Sequence, residues 1–341
     1  MCPLFQGSVM KMNDSSIRDT LVFTVYKEKG SNKNAFFTVV FIIYLASVVV
    51  NVSLMLLLYL DTSLHKPMYI FLFCLLLNGI IGSTAVWPRV MFLLLTEVNT
   101  TSYEGCLVQL FLMGSYGSCN YTVLTVMAYD RFVSIFNPLQ YHTIMTPQKV
   151  RQLLLAADLV PVVCVLGQVF FISQLHFCKN TLHRIFCDSL SLSSLSCGDS
   201  IQSRVTNLYG ICFIIALVIL PLFLVLLSYV KIIVFILKTS GNTGKKAFET
   251  CSPHMIVFIN FSMATLFSVI YNRINPYLPG LNVFVSINYV LIPPLMHPVI
   301  YGWKNKEIQR SLSKIWRKAI FAVSESLPRV DKSSKVITYC R

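Results

Sequence analysis

The stretch GCLVQLFLMGSYGSCNYTVLTVMAY, residues 105–129, carries no charged side chain and runs straight into Asp130-Arg131. A helix needs about 20 apolar residues to cross the hydrocarbon core of a bilayer, so this run reads as a transmembrane helix. Six more runs poor in charge accompany it. They are residues 34–60, 67–88 (extending past Arg89 to about 95), about 153–174 with Asp158 inside it, 205–230, about 248–272 and about 281–303. Together they predict an all-α membrane protein, a seven-transmembrane helix bundle. Apolar and polar residues do not alternate, which argues against a membrane β-barrel. Nothing before residue 34 has the layout of a cleavable signal peptide, so the first helix is expected to act as an uncleaved insertion signal.

Composition agrees. Of 341 residues, 55% are hydrophobic and 12% charged, against about 25% charged in a soluble domain. Mean hydropathy is +0.67. A soluble enzyme is excluded on this ground, and so is a disordered chain, which needs low hydrophobicity. The net charge of +14 does not imply nucleic acid, because too little polar surface remains to present a basic face. It orients the bundle instead. With the N-terminus outside, 18 Lys and Arg fall on the inner side and nine on the outer, as the positive-inside rule requires. The expected layout is an outer tail over 1–34, the bundle over 35–303, and a cytosolic helix and tail over 304–341.

The outer side carries two covalent signals. Asn13, in the tail, is the plausible glycosylation site among five N-x-[ST] triplets. Asn51, Asn120 and Asn260 lie inside apolar runs, and Asn99 lies close to the membrane. Cys106 starts the third run, and Cys178, Cys187 and Cys197 precede the fifth. Four cysteines in an oxidising compartment predict two disulfides, one tying the third helix to the loop and one closing the loop. Spacing does not choose among the three pairings.

Chemistry is sparse. The chain has no paired carboxylates, no nucleophile with its base and no metal-ligand cluster, so no enzyme, cofactor or metal is expected. The histidines at 65, 142, 176, 183, 254 and 297 are dispersed. A transporter needs intramembrane charges along a path and shows internal repeats, which are absent. Arg89 lies 21 residues beyond Met68, about 31 Å of helix, and is expected to snorkel to the outer headgroups. Asp158 either faces a partner in the bundle or sits in a hydrated notch. Asp130-Arg131 is either an ordinary helix end or a switch, in which Asp130 holds Arg131 until another helix moves.

The context of that pair is MAYDRFVSI (Met127 to Ile135), then NPLQY (Asn137 to Tyr141). Here the chain resembles the olfactory receptors of the rhodopsin-like G-protein-coupled family, whose hallmark is MAYDRYVAIC followed by NPLRY. His65-Lys66-Pro67-Met68-Tyr69-Ile70-Phe71-Leu72 is similar to the family's PMYFFL. Ser228-Tyr229 matches its SY step. Residues 246–254, KAFETCSPH, resemble KAFSTCxSH, and residues 293–301, PPLMHPVIY, resemble PPxxNPxIY. The resemblance covers about residues 30–318 and is nearest to fish-type members.

It implies the pairings Cys106–Cys187 and Cys178–Cys197. It also implies that Arg131, with Asp130, Tyr229, His254 and Tyr301 as the switch, faces a heterotrimeric G protein of the stimulatory olfactory type. The receptor is expected in the plasma membrane, as a multi-pass protein. Three departures stand out. Asn78-Gly79 lacks the carboxylate that often coordinates sodium. His297 replaces an asparagine, which weakens a helix-seven switch or makes it pH-sensitive. Asp158 replaces a common tryptophan.

The family places its ligand among helices three, five, six and seven, in the outer half. The inward candidates are Met113, Gly114, Gly117 and Ser118; Asn207 and Tyr209; Ser262 and Thr265; Ser286 and Ile287. The outer halves of these helices contain no Asp or Glu, so a cationic amine would lack a counter-ion. The expected ligand is a small neutral or weakly polar organic molecule. A rhodopsin-like receptor for a non-odour metabolite is the alternative, with the same fold. Prolines within the runs supply kinks. Beyond Tyr301, Ile308, Leu312, Ile315, Trp316 and Ile320 recur at helical spacing among Arg310, Lys314, Arg317 and Lys318, predicting an interfacial helix with its basic face towards anionic lipid.

Overall fold

Proline and short polar side chains start the helices. Pro67 and Pro147 occupy first turns, where a missing N–H costs nothing. Ser102 and Thr146 accept from the amides of Gly105 and Lys149, closing the first turns that follow. The computed structural model describes residues 20–24, 33–96, 98–198, 200–239, 242–274 and 279–326. Helices α1 (Lys33–Leu60), α2 (Pro67–Leu95), α3 (Tyr103–Phe136) and α4 (Pro147–Ser173) are continuous. Helix α5 (Ile201–Lys238) contains a π-helical stretch, Ile215–Ile219. It lies directly before Pro221, which has no N–H to close the preceding turn. Helix α6 spans Asn242–Ile274. Helix α7 comes in two pieces, Pro279–Val290 and Ile292–Lys304, meeting at a 44° bend. Pro293 and Pro294 sit at that bend and explain it. Helix α8 is Lys306–Ser326.

Among the described residues, five helices are long and apolar enough to cross a membrane, and the bent α7 adds a sixth. Helix α3 completes the bundle of seven. It is less apolar because it is central: Tyr116, Ser118, Asn120 and Tyr121 are all buried, packed between α2, α4 and α5. The other helices turn large apolar side chains outward, among them Phe41, Leu56, Val163, Phe223 and Ile259, as a lipid solvent demands.

One end carries a small sheet. Strand β1 (Leu21–Phe23), within the segment read as a tail, is central. It pairs antiparallel with β2 (Thr100–Thr101) and parallel with β3 (Thr181–Leu182). Leu21 and Phe23 are buried. Arg89 has a protein partner at this end. Its Nη2 donates to the Thr100 carbonyl at 2.8 Å, and its guanidinium lies over Phe92. The α2–α3 loop folds back over the helix end and offers that acceptor.

At the opposite end α8 is clamped. Asn305 Oδ1 accepts from the Glu307 and Ile308 amides and starts the helix. Glu307 takes Lys66 and the Tyr69 hydroxyl. Burial pushes the Glu307 carboxyl up, but Lys66 and Tyr69 together hold it below its usual value. Asp61 accepts from Ser311 Oγ at 2.6 Å and from Ser63. Ile308 is fully buried, whereas Leu312, Ile315 and Trp316 remain exposed. The Ile320 side chain lies outside the described residues.

The Ser311 hydroxyl, then the Ser63 donors, lower the Asp61 carboxyl to about 2. The unfolded value is about 3.9, so this contact stabilises the fold fully above that pH and is lost as pH falls through about 2. Receptor in nanodiscs should therefore lose melting temperature between about pH 4 and 2. Asp61→Asn should start lower at neutral pH and show a flatter acid limb. An unchanged limb in the variant would remove Asp61 from the clamp.

Candidate ligand cavity and the Arg131 end

A cavity of about 560 Å³ lies within the bundle near the disulfide end, a size suited to a small organic molecule. Of the residues read from the sequence, Met113, Gly114, Gly117, Ser118, Asn207 and Thr265 line it. Gly117 is required there by a close approach: a Cβ at this position would lie 2.6 Å from the Tyr289 hydroxyl. The other four candidates do not line the cavity. Tyr209 turns to α4, donating to the Cys164 carbonyl at 2.7 Å, with its ring on Phe171. Ser262 lies beside Tyr121, beneath the floor. Ser286 is buried and Ile287 packs against the core, while α7 reaches the cavity through Tyr289.

Sequence reading missed Tyr289, Gln168 of α4 and most of the roof. The roof is the connection between α4 and α5: Phe186, Asp188, and Ser189, Leu190 and Ser193 of a five-residue helix. Disulfides Cys106–Cys187 and Cys178–Cys197 hold it, with Cα separations of 5.4 and 5.0 Å. The Cys187 amide donates to Gln109 Oε1, and Gln109 Nε2 donates to the Ala85 carbonyl. The first pairing, once chosen, is the signal that brings residues 186–193 over the helix ends.

Asp188 modifies the charge argument. The helices bring no acid to the cavity lining, but the loop does. Its Oδ2 pairs with Arg184 Nη1 at 2.9 Å, and its Oδ1 accepts from the Ser191 amide and hydroxyl at 2.7 and 2.5 Å. The carboxylate is thus already paired and hydrogen-bonded.

The floor is aromatic. Tyr121 meets Phe261 edge-on at 5.0 Å, Tyr289 stacks on it at 6.3 Å, and His297 lies below at 6.4 Å. Phe261 is fully buried, so it touches both the cavity floor and the inner half of α7. His297 is buried and neither ring nitrogen has a partner among the described residues. Gly79 lets α2 approach α7, since a Cβ there would meet Pro294 at 3.2 Å. Asp158 is half-buried beside the thiols of Cys74 and Cys119. No described cation pairs with it.

At the far end Tyr229 of α5 is hydrogen-bonded to His254 of α6. Tyr301 is fully buried. Asp130, also fully buried, accepts from Arg131, including Nε at 3.0 Å, and from the Tyr141 hydroxyl at 2.6 Å. Burial, then the Asp130 carboxylate, raises the Tyr141 phenol above its ordinary value, which keeps that donor protonated. Lys306 of α8 pairs with Glu249 of α6 at 2.7 Å. Asn13 lies outside the described residues.

Known proteins share this plan. The family described as olfactory receptor matches residues 40–319. Human olfactory receptor 6K3 is 32% identical over 319 residues, covering 92% of this chain and 94% of its own. Human olfactory receptor 6Y1 is 30% identical over 308 residues, covering 90% and 94%. Human olfactory receptor 10J1 is 30% identical over 316 residues, covering 92% and 97%.

Proposed function

The chain belongs to the olfactory receptor family, and from that membership we propose how its geometry serves odorant detection. It is a multi-pass receptor of the plasma membrane and not an enzyme. We propose that a small neutral or weakly polar organic ligand occupies the 560 Å³ cavity. The observation that carries this reading is the combination of an aromatic floor resting on Phe261 with a carboxylate already satisfied by Arg184 and Ser191. A hydroxyl or carbonyl finds partners in Ser118, Thr265 and Tyr289. A cationic amine would have to displace Arg184, at the cost of leaving a buried cation unpaired.

Ligand acts by bias: it stabilises the arrangement in which it binds better. Pressure on Tyr121 and Tyr289 passes to Phe261, and so to α6 and to α7 at His297. Motion of α6 strains Tyr229–His254 and opens the Arg131 end, where Asp130 releases Arg131 to a heterotrimeric G protein of the stimulatory olfactory type. The disulfide end is outside, in the oxidising compartment, and the basic tail is cytosolic. Arg310 and Arg317 of α8 face anionic lipid. The fold units follow: a tail over 1–34 glycosylated at Asn13, the bundle over 35–303, and the inner helix and tail over 304–341.

The test is a cAMP reporter in cells carrying the olfactory G protein, screened with a broad panel that includes simple amines. Neutral alcohols, esters, aldehydes or ketones should activate. A panel answered by amines alone would sink the ligand class.

A further inference from the structure

The cavity is covered on one side and open on another. Towards the disulfide end it is roofed, with Leu190 of that roof both lining it and 38% exposed. Phe186, Cys187 and Leu192 are 3%, 1% and 0% exposed. The loop that carries them is fixed by two disulfides, by Gln109 and by the pairing of β3 with β1. Opening this roof requires breaking several of those ties together.

Towards the bilayer the wall has a gap. The outer part of α5 packs on α4, and its π-helical stretch on α3. Its close packing against α6 lies along Leu220–Lys238, nearer the Arg131 end. Above that contact Gly210 lines the cavity, yet a Cβ built on it would meet nothing within 4 Å. Ile211 and Ile214 also line the cavity, and they are 55% and 42% exposed. Across from them on α6, Val269 lines the cavity and is 45% exposed. A side chain that is at once cavity wall and half-exposed forms a rim. Below Asn207, which also lines the cavity and is exposed, this rim carries no charge and no hydrogen-bonding side chain. It starts six residues below Arg204, about 9 Å along the helix, so it faces hydrocarbon rather than water.

We infer that ligands enter and leave sideways, from the leaflet at the disulfide end, through the gap between α5 and α6 rimmed by Gly210, Ile211, Ile214 and Val269. The inference rests on the cavity assignment above and deepens it. The ligand class narrows to uncharged molecules that partition into the membrane, and the concentration that drives binding is the one dissolved in lipid. A molecule with a fixed charge halts among the headgroups and does not reach the rim.

The experiment uses full-length receptor in nanodiscs and two fluorescent probes with the same rings. N-phenyl-1-naphthylamine is neutral; 8-anilinonaphthalene-1-sulfonate carries a fixed negative charge. Stopped-flow mixing reads occupancy above the signal of empty nanodiscs. Wild type should bind the neutral probe saturably and the sulfonate not at all. Gly210→Trp and Val269→Trp narrow the rim from opposite helices. Each should slow association and dissociation together, by about tenfold, with affinity held within about threefold. Gln109→Ala removes the acceptor of the Cys187 amide, loosens the roof without touching the cavity lining, and should leave the association rate within about twofold of wild type. Melting curves confirm that each variant is folded, and the two rim variants check one another.

Unchanged rates in both rim variants would overturn lateral entry. So would faster association in Gln109→Ala, equal binding of the sulfonate, or the absence of saturable binding to wild type. Probe binding requires neither an odorant response nor a G protein. A receptor silent in the reporter but rim-dependent with the probe keeps this inference and loses the proposed signalling; the converse result does the reverse.

Discussion

Arg131→Ala should give no cAMP response above background at any ligand concentration. The guanidinium is the group that the buried Asp130 carboxylate holds through Nε and Nη2, and it is the cation that the proposed opening of the inner end would offer. The single substitution also leaves Asp130, which is fully buried, with the Tyr141 hydroxyl as its remaining partner there. Stranding a buried charge costs about 3–5 kcal/mol, enough to lower surface expression by itself. The double variant Asp130→Asn/Arg131→Ala removes both charges, so it should reach the surface and still be silent. Asp130→Asn alone should do the opposite of Arg131→Ala. Exchanging a charged for a neutral acceptor weakens the hold on Arg131 by about 1–2 kcal/mol, which raises ligand-free signalling about tenfold. A surface immunoassay alongside the reporter separates the two effects. Signalling that survives in the double variant would show that Arg131 is a structural residue.

The second large effect is at the other end. Replacing both Cys106 and Cys187 by alanine should cut surface expression to below about a tenth, because loss of a native disulfide costs about 2–5 kcal/mol and marginal receptors are removed in proportion. Removing Cys178 and Cys197 together should cost less. The first bridge spans 81 residues and the second 19, and the constraint on the unfolded chain grows with that span. The first also ties the roof to α3, whereas the second closes the loop on itself. Equal losses in the two double variants would contradict this ranking.

The sequence carried the bundle because lipid leaves few alternatives: a long run without charge must be a helix. It also carried the α3 wall. Met113, Gly114, Gly117 and Ser118 share one face at helical spacing, and the central helix is buried along most of its length. Spacing failed on α5. Asn207 lines the cavity while Tyr209 faces α4. Periodicity gives the angle between residues of one helix, not the rotation of the helix itself. The π-helical stretch at Ile215–Ile219 adds to the difficulty, since one extra residue turns the outer half by about 100° relative to the inner. The bend in α7 likewise presents Tyr289 in place of Ser286 and Ile287. The roof was illegible because a loop and a helix of five residues are too short to show a period from which a facing could be read.

Strand β1 has a consequence in time. Leu21–Phe23 is made before either of its neighbours, yet it lies between them. Thr24 donates to the carbonyl of Leu182, 158 residues later. At about 5–20 residues per second of synthesis, the segment waits on the order of 8–30 s for that partner. Four helices must be threaded into the membrane before the sheet can form at all. The earliest part of this region to be translated is therefore among the last to fold, and closing the sheet reports that the first four crossings have inserted in register. A chaperone that binds the waiting strand would act as a timer on assembly. A rigid fusion placed directly before residue 20 should slow maturation while leaving the finished receptor unchanged.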